Sequence, residues 1–363
     1  MRILHLVNSL DPGGMENGVC NIAAGLEARG METHVACLER SGAFSDRVPG
    51  TNRIHVLHKA GGFSLRASWN LARLLRKLRP AVLHTHNLGP LIYASVATVG
   101  GRTARILHGE HSQLAPWELE PRRIRQRQRL YRACREIHTV SREQVAELGS
   151  LGFPESKIFA IPNGVDTARF SPGSQEKAAL ALDIPGSAPV IGLVGRFGPF
   201  KRHDALIAAL PAIRTAFRDA RLLLVGGGGS EEKRIRELAA GNPGICITGF
   251  RSDPESCYRA MDLLVVPSIN EGMSNAVLEA MACGIAVLAN TGCGHEEIII
   301  PGENGHIAPL ANPEDIAHHI IEMLNDWERL SILGENARKT VKNRFSIETM
   351  LNAYEQTYRR IAA

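Results

Sequence analysis

The chain has 363 residues, 44% hydrophobic and 22% charged, with a formal net charge of +5. That length allows about two domains with separate cores, and the composition is that of an ordinary globular chain. No apolar run reaches the roughly 20 residues a spanning helix needs, and 5% aromatics with no recognisable binding module argue against nucleic acid as a partner.

The first seven residues are too short for a secretory leader and run into a Gly-rich turn, so they read as a first strand. In the first half, short apolar runs at 3–8, 33–38, 81–85, 105–107, 137–140 and 158–161 predict strands, separated by helices over 16–29, 66–78, 90–99, 121–135 and 142–150. A Pro- and Gly-bearing stretch over 162–174 predicts a linker. The pattern then restarts, with strands at 190–194, 221–225, 245–248, 263–266 and 286–289, and helices over 201–217, 230–240, after Ser274, and over 313–325 and 328–343. An amphipathic segment over 347–361 predicts a last helix. Strand–helix alternation in both halves is the signature of parallel sheets covered by helices, which bind ligands at the carboxyl ends of their strands.

Seven cysteines, odd in number and without a C-x2-C pair, exclude a disulfide framework and a structural zinc site and fit a reducing cytoplasm. Charge is uneven: residues 1–165 hold 22 Lys and Arg against 13 Asp and Glu. Much of the excess lies in the arginines between Arg122 and Arg135, which helical spacing spreads round the axis. They are either a solvated connecting helix or a patch for anionic lipid or a phosphorylated acceptor.

The most informative segment runs from Asn270 to Gly284. Ser274 is placed to cap a helix that Gly284 ends, and Glu279 is the one charge on that apolar helix. Carboxylates are rarely buried without partners, so Glu279 is either an ion-paired core residue or a ligand for a polar group. Glu271, Gly272, Met273, Ser274 and Asn275 lie at the helix start, where backbone N–H groups and the helix dipole favour phosphates. Arg196 and Lys201 follow the strand at 190–194 and supply a planar fork and a point charge for phosphate oxygens. Gly226 to Gly229 serve either close approach to a nucleotide or a flexible turn. In the first half, Gly13 and Gly14 open a helix after the first strand, and His84, His86, His108 and His111 stand at strand ends. No D-x-D occurs, which removes the usual way of holding a metal–nucleotide complex, and no carboxylate cluster accompanies the histidines as metal ligands.

These segments resemble the family 4 glycosyltransferases, whose E-x7-E signature matches Glu271 and Glu279. The resemblance implies an α/β chain of GT-B fold, with two Rossmann-like doubly wound domains facing a central cleft. Residues 1–168 would bind the acceptor, 175–345 the nucleotide-sugar donor, and 346–363 would form a helix crossing back to the first domain. It further implies a retaining, metal-independent transferase without cofactor, moving a sugar from a nucleoside-diphosphate donor to a hydroxyl of a glycan or lipid-linked acceptor. On that account Glu279 holds the ribose, Glu271 the donor sugar, and Arg196 and Lys201 the diphosphate. Gly249, Phe250 and Arg251 occupy the place of the nucleobase contact, and Gly13 and Gly14 that of the family's G-G-x-E loop. The active-site histidine is His108 or His111, and Glu297 or its neighbour Glu296 matches a helix-capping acid. Arg202 departs from the family's usual glycine and adds a charge. The implied setting is cell-surface polysaccharide or glycolipid synthesis in the cytoplasm, with peripheral contact to anionic membrane. A nucleotide-sugar epimerase of the same architecture and a non-catalytic nucleotide-sugar binder remain as other readings. A nicotinamide-dependent oxidoreductase would need a G-x-G-x-x-G turn that the chain lacks.

Overall fold

Branched apolar runs become buried parallel strands in two sheets, each with its own core. The computed structural model describes residues 1–99, 104–185 and 188–363. Unit 1 comprises Met1–Gly164 and Ile347–Ala363, and unit 2 comprises Val165–Ser346.

In unit 1 the chain runs β1 (Arg2–Val7), α1 (Gly14–Ala28), β2 (Glu32–Cys37), β3 (Ile54–Val56), α2 (Leu65–Leu78), β4 (Val82–His86) and α3 (Leu88–Ala97). It continues with β5 (Arg105–Glu110), α4 (Pro121–Arg132), β6 (Glu136–Thr139), α5 (Arg142–Ser150) and β7 (Ile158–Ala160). The strands pair in parallel in the order β3-β2-β1-β4-β5-β6-β7. The order reverses between β1 and β4, the position at which such a sheet opens a crevice.

Unit 2 runs α6 (Gln175–Leu180), β8 (Val190–Val194), α7 (His203–Ala216), β9 (Arg221–Val225), α8 (Glu232–Ala239), β10 (Ile245–Gly249) and α9 (Pro254–Arg259). It continues with β11 (Leu263–Val266), α10 (Asn275–Ala282), β12 (Ala286–Asn290), β13 (His306–Ala308), α11 (Pro313–Leu324) and α12 (Trp327–Arg344). Its strands pair in parallel in the order β10-β9-β8-β11-β12-β13, so the reversal falls between β8 and β11.

The last helix, α13 (Ile347–Ala362), packs into unit 1. It buries Leu351, Tyr354, Tyr358 and Ile361 against Ile3, Leu26, Val82 and Leu107, each large side chain contributing about 1.5–3 kcal/mol. Arg29 binds Glu348, Glu355 and Asn352 of α13, and Arg360 binds both oxygens of Glu136 at 2.9 and 2.7 Å.

The boundary between the units lies inside the stretch expected as a linker. The division falls at Gly164–Val165, and the residues after it belong to unit 2. There Phe170 is buried edge-on to Tyr258, and Arg259 donates to the Ser171 carbonyl at 2.8 Å. Strands β3 and β13 and helices α6 and α9 were not predicted: three-residue strands and six-residue helices are too short to show a period.

Close helix packing in unit 2 depends on Gly334. A Cβ there would stand 2.1 Å from the Gly284 carbonyl oxygen, whereas one at Gly25 would meet only the movable Leu351 side chain. Gly334→Ala should cost about 2–3 kcal/mol in urea unfolding, in the range of overpacking, and Gly25→Ala less than about 1 kcal/mol.

Candidate active site

The loops that leave β8 and β11 carry Arg196, Lys201 and residues 271–274 of the predicted site, and these strands are neighbours at the reversal in unit 2. Gly195 has φ +156°, and Lys201 ends a short 3-10 turn. After β11, Asn270 takes a left-handed φ of +64°, a conformation Asn tolerates, and turns the chain so that Glu271 meets Lys201. The Lys201 ammonium donates to Oε1 of Glu271, whose side chain is 14% exposed. Burial pushes this carboxyl up. Lys201, helped by His295 and the Ser268 hydroxyl, outweighs it and holds the group at about 2.

Two polar atoms beside this pair lack hydrogen-bond partners among the described residues. Ser274 occupies the N-cap position of α10, yet its buried hydroxyl makes no cap bond. His295 donates from Nδ1 to the Asn290 carbonyl at 3.0 Å, leaving Nε2 buried, unpartnered and 4.0 Å from Glu271. Buried polar groups are normally satisfied, so unsatisfied ones next to a charged pair mark a place for a polar ligand. Gly272 and Met273 are buried and Asn275 opens α10, so this helix presents its N-terminus on the same loop. One helical turn further on, Glu279 accepts from the Tyr258 hydroxyl at 2.7 Å. Arg196 is exposed on the β8 loop.

Other predicted residues have structural duties. Arg202, expected to add charge, is instead spent on the backbone carbonyls of Pro267, Leu310 and Ala311. Its φ of +55° lies where glycine is favoured, which explains why the resembled family places glycine here. Gly226 and Gly229 are needed for packing: a Cβ would lie 2.1 Å from the Gly195 carbonyl oxygen and 2.3 Å from that of Phe197. Gly249 ends β10 at φ +72°, Phe250 is exposed, and Arg251 makes a two-bond pair with Asp253 at 2.9 and 2.7 Å. Glu296 accepts from the Gly292 N–H at 2.8 Å.

In unit 1, Gly13 and Gly14 begin α1 after β1, and Asn87 follows β4, on the two sides of the reversal in that sheet. Asn87 adopts φ +65°, donates to the Gly109 carbonyl at 2.8 Å and accepts from the His111 N–H at 3.3 Å. This fixes His111 at the end of β5, partly exposed. His108 is a different case. It pairs in register with Thr85, whose hydroxyl lies 2.8 Å from Nδ1, and its Nε2 is 3.1 Å from Glu110. Burial pushes Glu110 up, but His108, Arg127 and Tyr131 hold it at about 2. With His108 fully buried and both ring nitrogens engaged, His108 belongs to the core of the sheet.

Sequence reasoning missed that network because Arg127 looked like its neighbours. It is 2% exposed and bonded to Glu110 and Glu118. Arg122, Arg125 and Arg129 do share one face of α4, where they line a depression of about 360 Å³.

Replacing Lys201 by Met should leave burial opposed only by His295 and the Ser268 hydroxyl and raise the Glu271 carboxyl well above its native value, read by carbon NMR titration. In the native protein the stability from this lowered carboxyl is complete above the unfolded value of about 4.3 and is lost as pH falls through about 2. Lys201→Met should abolish that acid-side loss, measured by urea unfolding at stepped pH.

Two family models match the chain: Glycosyltransferase Family 4 over residues 12–169, and Glycosyl transferases group 1 over residues 188–326. A D-inositol 3-phosphate glycosyltransferase from Gordonia bronchialis is 27% identical, covering 97% of this chain and 86% of that protein. A GDP-mannose-dependent monoacylated alpha-(1-6)-phosphatidylinositol monomannoside mannosyltransferase from Corynebacterium glutamicum is 31% identical over 52% of this chain, which spans 53% of that relative's length. Among solved structures, Anabaena Alr3699/HepE in complex with UDP and glucose has a TM-score of 0.85 at 22% identity, covering 98% of this chain and 99% of that one. With the two parallel-sheet units described above, these matches place the chain in the family 4, group 1 glycosyltransferases, enzymes of GT-B fold.

Proposed function

We propose that the chain is a retaining, metal-independent transferase that moves a sugar from a nucleoside-diphosphate donor to a hydroxyl of a glycan or lipid-linked acceptor, in cell-surface polysaccharide or glycolipid synthesis. One observation carries this reading: the half-buried Lys201–Glu271 pair beside the Ser274 hydroxyl and His295 Nε2, both buried and unpartnered among the described residues, at the start of α10. A donor's diphosphate would draw Lys201 away from Glu271, and Lys201, Arg196 and the N-terminus of α10 would together answer its developing negative charge without a metal cation. Glu271, released, would accept from donor-sugar hydroxyls, and the departing phosphate would take the acceptor's proton. Glu279, with one oxygen fixed by Tyr258, is assigned the ribose diol, and Gly249, Phe250 and Arg251 the base. In unit 1, Gly13, Gly14 and His111 are assigned to sugar or acceptor hydroxyls. His111 takes this role over His108, which is enclosed. The relatives' names make a phosphorylated polyol or a glycolipid the acceptor class to try first.

Among the described residues, no helix is long and apolar enough to cross a membrane. Peripheral contact at the cytoplasmic face is proposed on α2, a helix the charge count did not single out. Phe63 just before it and Leu65 and Trp69 on it are exposed at 55%, 73% and 57%, with the exposed Arg66, Arg73, Arg76 and Lys77 on the same helix. An apolar edge bordered by basic residues suits an anionic interface.

A thermal-shift screen against UDP-, GDP- and ADP-sugars should give stabilisation by one base class, and no stabilisation by any donor or nucleoside diphosphate would remove the reading. Glu279→Ala should weaken that donor's binding about 10- to 100-fold with the fold intact, the scale of losing hydrogen bonds to a charged group. Transfer should persist in EDTA; loss restored by added Mn²⁺ or Mg²⁺ would overturn metal independence. In a separate test, Leu65→Ser with Trp69→Ala should abolish sedimentation with vesicles containing phosphatidylglycerol while leaving binding of the stabilising donor unchanged.

A further inference from the structure

The pleat of the unit 1 sheet gathers histidines on one face. His5 pairs in register with His84 across β1 and β4, His86 lies two residues on, and Gly109 separates His86 from His138 across β5. A Cβ at Gly109 would come within 2.6 Å of His138 and 2.8 Å of His111, so the glycine makes room for both rings. Two hydrogen-bonded series result. In one, the Tyr358 hydroxyl is 2.7 Å from His84 Nδ1, His84 Nε2 is 2.9 Å from His138 Nε2, and His138 Nδ1 is 3.4 Å from the Thr139 carbonyl. A carbonyl only accepts, so each proton in this series points from Tyr358 toward Thr139.

Among the described residues, the other series has no carbonyl to set it. His5 Nδ1 is 3.1 Å from His86 Nε2, and His86 Nδ1 is 2.9 Å from His111 Nε2. His5 Nε2 is buried with no partner among the described residues, and His111 Nδ1 is the outer end. Burial lowers the His5 ring to about 3, His86 well below its usual range and His111 to about 4, so all three are neutral near pH 7. Each neutral ring carries one proton, and each contact takes one, so the tautomers of the three rings are set together. Either His5 keeps a buried N–H with nothing to accept it, or its Nε2 is bare and every proton points outward. Orphaned buried N–H groups are the rarer defect.

We infer that His5 and His86 are positioning residues that fix His111 as the Nδ1–H tautomer, so that this ring presents a hydrogen-bond donor, and no base, at the reversal between β1 and β4. The functional consequence rests on the assignment of His111 to substrate hydroxyls made above. It means that His111 donates to an oxygen of the sugar or acceptor and takes no proton during transfer, which leaves that task to the departing phosphate. The cluster could also suggest a metal, since ligand atoms of His5, His84 and His86 lie within 4.8 Å of one another. Both nitrogens of His84 and of His86 are already used in hydrogen bonds, which favours the series of neutral rings.

The test is long-range proton–nitrogen NMR of the full chain with nitrogen-15 in its histidines, with His111 assigned by its loss in His111→Gln. The expected spectrum near pH 7 has His111 protonated at Nδ1 and bare at Nε2, with His5 and His86 alike. In His5→Phe, which keeps a ring in place, His111 should become a mixture of tautomers, while affinity for nucleoside diphosphate stays within about twofold of the native protein's and kcat/KM for transfer falls about tenfold, a loss of about 1.4 kcal/mol. Protonation of His111 at Nε2, a doubly protonated ring, an unchanged His111 spectrum in His5→Phe, or one equivalent of Zn²⁺ bound by native protein and lost in His5→Phe would each overturn the inference. The nitrogen spectrum is read without substrate, so it stands or falls separately from the proposed transferase reaction.

Discussion

A carboxylate held in a largely dry place by one lysine is the constraint on which unit 2 is organised. Burying Glu271 costs energy that only a well-placed opposite charge offsets, and removing one partner of such a pair leaves an uncompensated ion. The pair can form because β8 and β11 are neighbours at the reversal of the strand order, which brings loops 70 residues apart in sequence into contact. The backbone is bent to suit: Asn270 and Arg202 accept left-handed conformations, and Gly195 turns at a φ only glycine adopts readily. Arg202 offsets its strain with three carbonyl contacts, so its charge serves the loop and not the ligand.

The two units solve the problem of buried polarity differently. Unit 2 leaves a charged pair beside unpartnered atoms, an arrangement poised to exchange one partner for another. Unit 1 closes most of its buried polar groups into networks, His5 Nε2 excepted. Glu110 receives Arg127, Tyr131 and His108, and the neutral histidines bond to one another or to Tyr358. Charge is exchangeable in the first case. In the second, what is fixed is the direction in which protons point.

Much of this was legible in the sequence because it rests on local patterns. Three strands of unit 2, at 190–194, 221–225 and 263–266, begin and end where the apolar runs do. The loop after β11 announced itself through a lone carboxylate on an apolar helix. What stayed hidden depends on register or on long-range pairing. His108 and His86 look alike at their strand ends, and only the pleat shows that they face opposite sides of the sheet. Arg127 sits in a run of arginines, and its burial is decided by Glu110, 17 residues away. The tautomer series needs three segments in contact, and no spacing along the chain reports it. Ser274 shows the opposite limit: its position was legible, but its hydroxyl declines the cap that the position predicts.

The docking of α13 has a consequence for the order in which the molecule can be made. Ile3, Leu26, Val82 and Leu107 lie in unit 1, yet the side chains that cover them come from residues beyond 346. During synthesis the second unit, a continuous stretch, can complete its core before the first. The first keeps part of one sheet face, over Val82 and Leu107, incompletely covered until α13 leaves the ribosome. His84 waits with it, since its partner Tyr358 lies on α13. The unit that begins first is therefore completed after the one that follows it.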